Sequence, residues 1–331
     1  MKRAISLALT VAILALLFWK VDRAALLANL RATRWTWFSL AIFMFVPQIW
    51  AIAWRWRRMV GVFTPISWGE AVGLILASNT MNLILPSKLG DLTKGYFLAR
   101  TGALDLKRAM NVVVFEKMLD VATLALVMLG GVSVLFASGA AMPVQRGAAV
   151  VAGLAGLAAV SAVAILYFIP PSALPGFHRL LTWLNARPRF RKIHSLLEAS
   201  HETISLLQSR GARRGLICAL SLLIWFFHLV QIYFFFLSLN AQPLPVFQFA
   251  TLVPLAIFIG LVPLTVAGFG TRDGALISFF PQFPPSLMLG VALYVNLRYI
   301  VPAIAGLPYL NRYLTAARAL RAGSPGESDS K

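Results

Sequence analysis

The 331-residue chain is 59% hydrophobic and only 12% charged, with a mean hydropathy of +0.79, whereas soluble domains are about 45–50% apolar and about 25% charged. Its 30 Lys and Arg against 11 Asp and Glu give a formal charge of +19, but these residues flank apolar runs, which fits membrane headgroups rather than a nucleic-acid groove. Alternating strands are absent, so a barrel is excluded along with a soluble enzyme, leaving an all-α integral membrane protein.

The first span is expected at about residues 4–19; FWKVDR after it offers no small-residue cleavage site, so the segment reads as retained rather than as a cleaved signal. A second span runs from Trp35 to Trp54 with tryptophans at both ends, and Arg55, Arg57 and Arg58 follow as a cytoplasmic flank. On that orientation the N-terminus is cytoplasmic and residues 20–34 are an outer loop. Residues 67–86, SWGEAVGLILASNTMNLILP, could cross but carry Glu70, Asn79 and Asn82 and end in Pro86. Lys88, Lys94, Arg100, Lys107 and Arg108 come next, so the chain is expected back on the side it left, with 67–100 a re-entrant helical hairpin.

Residues 111–136 and 147–169 are expected to cross. The basic segment 170–214 is then cytoplasmic, and its Ile193, Leu196, Leu197, Ile204 and Leu207 follow the spacing of an amphipathic helix over 192–209. Span 215–239 leads to 247–280, which Pro254, Gly260, Pro263, Gly268, Gly270 and Gly274 prevent from being one straight helix. The last span, about 286–310, ends before Arg312, Arg318 and Arg321, giving a cytoplasmic C-terminus. The expected architecture is therefore about six full spans plus two re-entrant hairpins in one polytopic domain, 1–311. Its halves are 1–169 and 215–311, and a polar, disordered tail follows over 312–331.

The two breaks share a pattern. PSKLGDLTKG and PLTVAGFGTRDG each place glycine three residues before threonine, Gly90 to Thr93 and Gly268 to Thr271, with Lys94 or Arg272 next. One hairpin would enter from the cytoplasm and the other from outside, an inverted repeat of the kind that builds a transport site between its halves. The positive ends of broken helices suit an anionic group. Charges inside spans are costly, which directs attention to Glu116, Asp120, Arg272 and Arg298. Lys117, three residues before Asp120, serves equally well as a helix-to-helix ion pair.

PSKLGDLTKGYFLARTG, AMNVVVFEKMLD and VPLTVAGFGTRDGALISFF together resemble the lysylphosphatidylglycerol synthase transmembrane-region family, also described as the flippase-like domain family. The shared elements are Pro86, Lys88, Gly90 and Asp91; Glu116, Lys117 and Asp120; and Gly268, Gly270, Arg272 and Asp273. The family more often has Pro-Gly-Arg then Gly-Glu where this chain has Pro86-Ser87-Lys88 then Gly90-Asp91, and paired glycines where it has Ala267-Gly268; the charge signs are kept.

The resemblance implies lipid translocation in a bacterial-type inner membrane, by a stand-alone member without the soluble synthase domain. The expected cargo is an anionic or aminoacylated phospholipid, or a polyprenyl-phosphate-linked lipid. Lys88, Lys94, Arg272 and Arg298 would hold its phosphate. Asp91, Glu116, Asp120 and Asp273 would balance them, receive an amine or carry protons, while Pro86, Gly90, Gly95, Pro263, Gly268, Gly270 and Gly274 would be hinges. The competing expectations are a non-transporting subunit that holds a glycosyltransferase or lipid-modifying enzyme through 170–214, and a solute transporter. Cys218 is the sole cysteine, the histidines lack ligand spacing, and no P-loop, zincin helix or nucleophile elbow occurs, so no enzyme, cofactor or metal is expected.

Overall fold

The computed structural model describes residues 2–85, 89–137, 143–168, 211–241, 245–261 and 265–322, with isolated positions between 176 and 186. All regular structure among them is helical. Three helical stretches, Trp35–Val60, Arg214–Ser238 and Pro285–Ala316, are long and apolar enough to cross a membrane; Leu7–Lys20 and Val246–Leu261 are shorter apolar helices.

The first helix, α1 (Lys2–Lys20), is followed by α2 (Arg23–Arg31) where a loop was expected. Asp22 caps α2, its Oδ1 accepting from the N–H groups of Ala24 and Ala25 at 2.9 and 3.1 Å. The next span bends at Met44 into α3 (Trp35–Phe43) and α4 (Phe45–Val60). Pro47 explains the bend, because it has no N–H to offer the carbonyl of Phe43 four residues back.

The first break falls where the glycine and proline pattern put it. Helix α5 (Trp68–Ile84) starts at Ser67, whose Oγ accepts from the Glu70 N–H at 3.1 Å, and α6 (Gly90–Arg100) runs back beside it. Then come α7 (Leu106–Ala137) and α8 (Pro143–Phe168), with α9 (Gly211–Ser238) opening the second half. The second break has the same form: α10 (Val246–Leu261), a short 3-10 turn (Val266–Gly268) and α11 (Thr271–Phe279). At 11 and 9 residues, α6 and α11 are each too short to cross alone, which takes about 20.

The final helix, α12 (Pro285–Ala322), runs past residue 311 into the stretch expected to be a disordered tail, so that expectation is corrected as far as Ala322. Pro86, Lys88, Pro263, the amphipathic segment 192–209 and the terminal residues 323–331 lie outside the described residues.

Two main cores form, each drawn mostly from one half: Ile217 and Leu310 of the second half join the first core, and Ala41 and Leu124 of the first half join the second. Trp56, Leu74, Phe97 and Val112 anchor the first, and Phe235, Phe236, Phe249, Phe280 and Met288 the second. The halves exchange partners across their boundary: α5 packs on α12, and α10 packs on α7. Small residues permit both approaches. A Cβ at Gly306 of α12 would strike the Leu76 carbonyl and Thr80, and one at Gly131 of α7 would strike Thr251 of α10. Thr80 also donates to the Ala303 carbonyl at 2.7 Å. Where α4 meets α9, buried Gln48 donates to Gln231 at 3.0 Å, and Gln231 donates on to the Ala41 carbonyl at 2.8 Å.

Candidate functional site

Burying a charge in a helix bundle requires a partner, and the first half supplies three carboxylates and three cations to one another. From α7, Glu116 takes Lys94 of α6 at 2.5 Å and Arg55 of α4 at 3.2 Å. Arg55 also meets Asp120 at 2.7 Å and donates to Ser221 of α9 at 2.9 Å. Lys117 stands 3.0 Å from Asp91 and 3.1 Å from Asp120. Asn82, at the end of α5, donates to Asp91 at 3.1 Å, and the Lys94 ammonium lies 4.7 Å from the centre of the Trp56 ring. The six ionic side chains sum to zero.

Helix geometry makes the assembly possible. Glu116 and Asp120 are one turn apart and face the same way. Gly90 brings α6 against the end of α5: a Cβ there would lie 2.7 Å from Asn82 Oδ1 and closer still to its backbone nitrogen. Gly95 similarly approaches the Ala109 carbonyl, to 3.1 Å from a built Cβ.

The second half builds a smaller cluster in the same manner, from the start of its short helix to the long helix that follows. Arg272 of α11 pairs with Asp273 at 3.1 Å and hydrogen-bonds Asn296 of α12, which donates to Asp273 at 3.2 Å. The Arg272 guanidinium lies 5.0 Å from the centre of the Tyr299 ring. Asp273 also accepts from the Gly270 N–H at 3.0 Å, so the chain's own carboxylate occupies the positive end of α11 where the sequence suggested an external anion.

Gly268 and Gly270 have φ of +77° and +86°, conformations that glycine adopts without steric cost. Ala267 shares the left-handed region at φ +53°. Gly274 sits inside α11 with a built Cβ no nearer than 4.0 Å to the Leu17 side chain, so nothing in its surroundings requires glycine.

A cavity of about 400 Å³ lies between the halves. Its lining holds the ionic side chains Arg55, Asp91, Lys94, Glu116, Lys117 and Asp120, the polar Ser78, Asn79 and Asn82, and apolar residues, among them Phe45, Ile49, Ile52, Leu124 and Ile257. Arg298 reaches the same cavity from α12. The four phosphate-holding candidates are therefore divided: Lys94 and Arg298 line the cavity, Arg272 and its partner Asp273 do not, and Lys88 lies outside the described residues.

Sequence reasoning missed Arg55, which is 1% exposed. The available signal was helical spacing, since Arg55 shares a face of α4 with buried Gln48, Ala51 and Met59.

Residues 3–306 match the family model described as lysylphosphatidylglycerol synthase TM region. No curated protein matches the chain.

Proposed function

The chain belongs to the lysylphosphatidylglycerol synthase transmembrane-region family, and from that premise we propose that it moves a phosphate-bearing lipid between leaflets as a flippase or scramblase, without enzymatic chemistry. The observation that carries this reading is the cavity between the halves, whose lining combines seven ionic side chains with apolar ones. A lipid has both characters: its headgroup would sit among the charges while its acyl chains stay in hydrocarbon.

In this reading the hairpins Trp68–Arg100 and Val246–Phe279 enter a plasma membrane from opposite faces as an inverted repeat, with both termini cytoplasmic. The exchanged packing of α5 on α12 and α10 on α7 supports such a relation. The zero-sum ion network supports it too, because it keeps a polar surface inside the bundle without leaving its own charges uncompensated.

The test is translocation in proteoliposomes, read by chemical quenching of outer-leaflet fluorescent lipids, comparing the protein with Asn79→Phe, which places bulk in the cavity. Lipid movement that the variant loses while remaining monodisperse and folded supports the pathway. Absence of movement for anionic, zwitterionic and polyprenyl-phosphate lipids alike overturns it in favour of a scaffold that holds another membrane enzyme.

A further inference from the structure

Four cations and three carboxylates line the cavity among the described residues, an excess of one positive charge. The excess can be assigned to a particular side chain. Arg55, Lys94 and Lys117 each meet a carboxylate. Arg298 has no ion pair among the described residues, and its Nε and Nη1 are buried without a hydrogen-bond acceptor. It lies 6.0 Å from the centre of the Tyr299 ring, which the Arg272 guanidinium also faces at 5.0 Å.

A guanidinium does not shed its proton to escape burial, and it presents five donors in a planar fork that fits phosphate oxygens. Arg298 as a residue is half-buried, but two of its nitrogens are buried without an acceptor, an arrangement that an anion in the cavity would relieve. Arg272, by contrast, has its carboxylate in Asp273 and stands outside the cavity.

We infer that Arg298 is the headgroup anchor of the cavity and that it selects lipids with a net-anionic phosphodiester headgroup, of the phosphatidylglycerol type, against aminoacylated lipids of net positive charge. This rests on the reading that the cavity receives a lipid headgroup. The charge balance carries the selectivity. A phosphodiester monoanion neutralises the single excess charge, whereas an aminoacyl headgroup with two ammonium groups and one phosphate raises it. The three carboxylates offer an added ammonium little, since each already holds a cation within about 3 Å. The apolar lining residues Phe45, Ile49, Ile52 and Leu124 favour a lipid over a free soluble phosphate.

The test is direct binding to the purified full chain in detergent, with phosphatidylglycerol, lysyl-phosphatidylglycerol, phosphatidylethanolamine and glycerol phosphate as four separate probes. Phosphatidylglycerol is expected to bind at least about tenfold more tightly than the lysyl ester. Arg298→Gln should remove that preference, and Arg298→Lys should keep part of it. Because Arg298 has no ion pair among the described residues, the Gln variant should unfold no more readily than the parent, and Arg298→Lys provides a charge-retaining check.

Equal or tighter binding of the lysyl ester overturns the inference, as does an unchanged preference in Arg298→Gln or glycerol phosphate binding as tightly as the lipid. The two readings fail separately. Selective binding without translocation defeats the transport reading alone, and translocation with no charge preference defeats this one alone.

Discussion

Arg55 and Asp120 meet at 2.7 Å, joining a residue at the end of a tryptophan-flanked span to one inside a different helix. The contact turns an arginine that belongs by sequence to a basic flank into a member of the ion network lining the cavity. Removing one partner of a buried pair costs about 3–5 kcal/mol, because the other is left uncompensated. Arg55→Ala is therefore expected to lower stability by that order. Exposed Arg58→Ala should change it by less than about 0.5 kcal/mol. Denaturant unfolding in detergent, followed by helix content, separates the two.

Lys94 and Glu116 form a pair that the same logic treats as a unit. Lys94→Met alone strands much of the Glu116 charge, and Glu116→Gln alone leaves Lys94 and part of Arg55 unpaired. The double variant should be more stable than the two single losses predict, with a coupling of about 0.5–3 kcal/mol as for other contacting residues. A strictly additive result in unfolding measurements would contradict the pairing.

Two glycines that look alike in sequence should differ in tolerance. Gly90→Ala drives a methyl into the backbone of Asn82 and the Met81 carbonyl carbon, so it should disrupt the α5–α6 approach and cost at least about 1–3 kcal/mol, as overpacking does. Gly274→Ala meets nothing closer than 4.0 Å in the interior of α11 and should be neutral or stabilising by up to about 1 kcal/mol. Expression level and the thermal midpoint of each purified variant compare them.

Ala267 carries a methyl group at φ +53°, ψ +16°. A left-handed residue with a Cβ costs about 1–2 kcal/mol, while glycine at the same place loses about 0.5–1 kcal/mol to greater chain entropy when unfolded. Ala267→Gly is thus expected to stabilise by up to about 1 kcal/mol, or a few degrees in thermal midpoint. A fall in midpoint would show that the Ala267 methyl contributes packing that outweighs its backbone.

The all-helical membrane class and the breaks at residues 84–90 and 261–271 were legible in the sequence because hydropathy runs, glycine and proline act locally. Glu116, Asp120 and Arg298 stand out in the sequence because an ionisable residue inside an apolar run is rare and costly wherever it occurs, and Asp91 and Lys94 because they follow a glycine break. Tertiary structure decided the partners. Arg55 beside Trp54 and Trp56 reads locally as an interfacial flank, and only the neighbours α7 and α9 determine that its guanidinium turns inward. Arg272 and Arg298 lie in equally suggestive stretches. The packing of α11 and α12 gives the first a carboxylate and leaves the second, without one, facing a cavity made largely by the other half. Spacing along a chain specifies which residues can share a helix face, but the direction that face points is set by contacts between helices far apart in sequence.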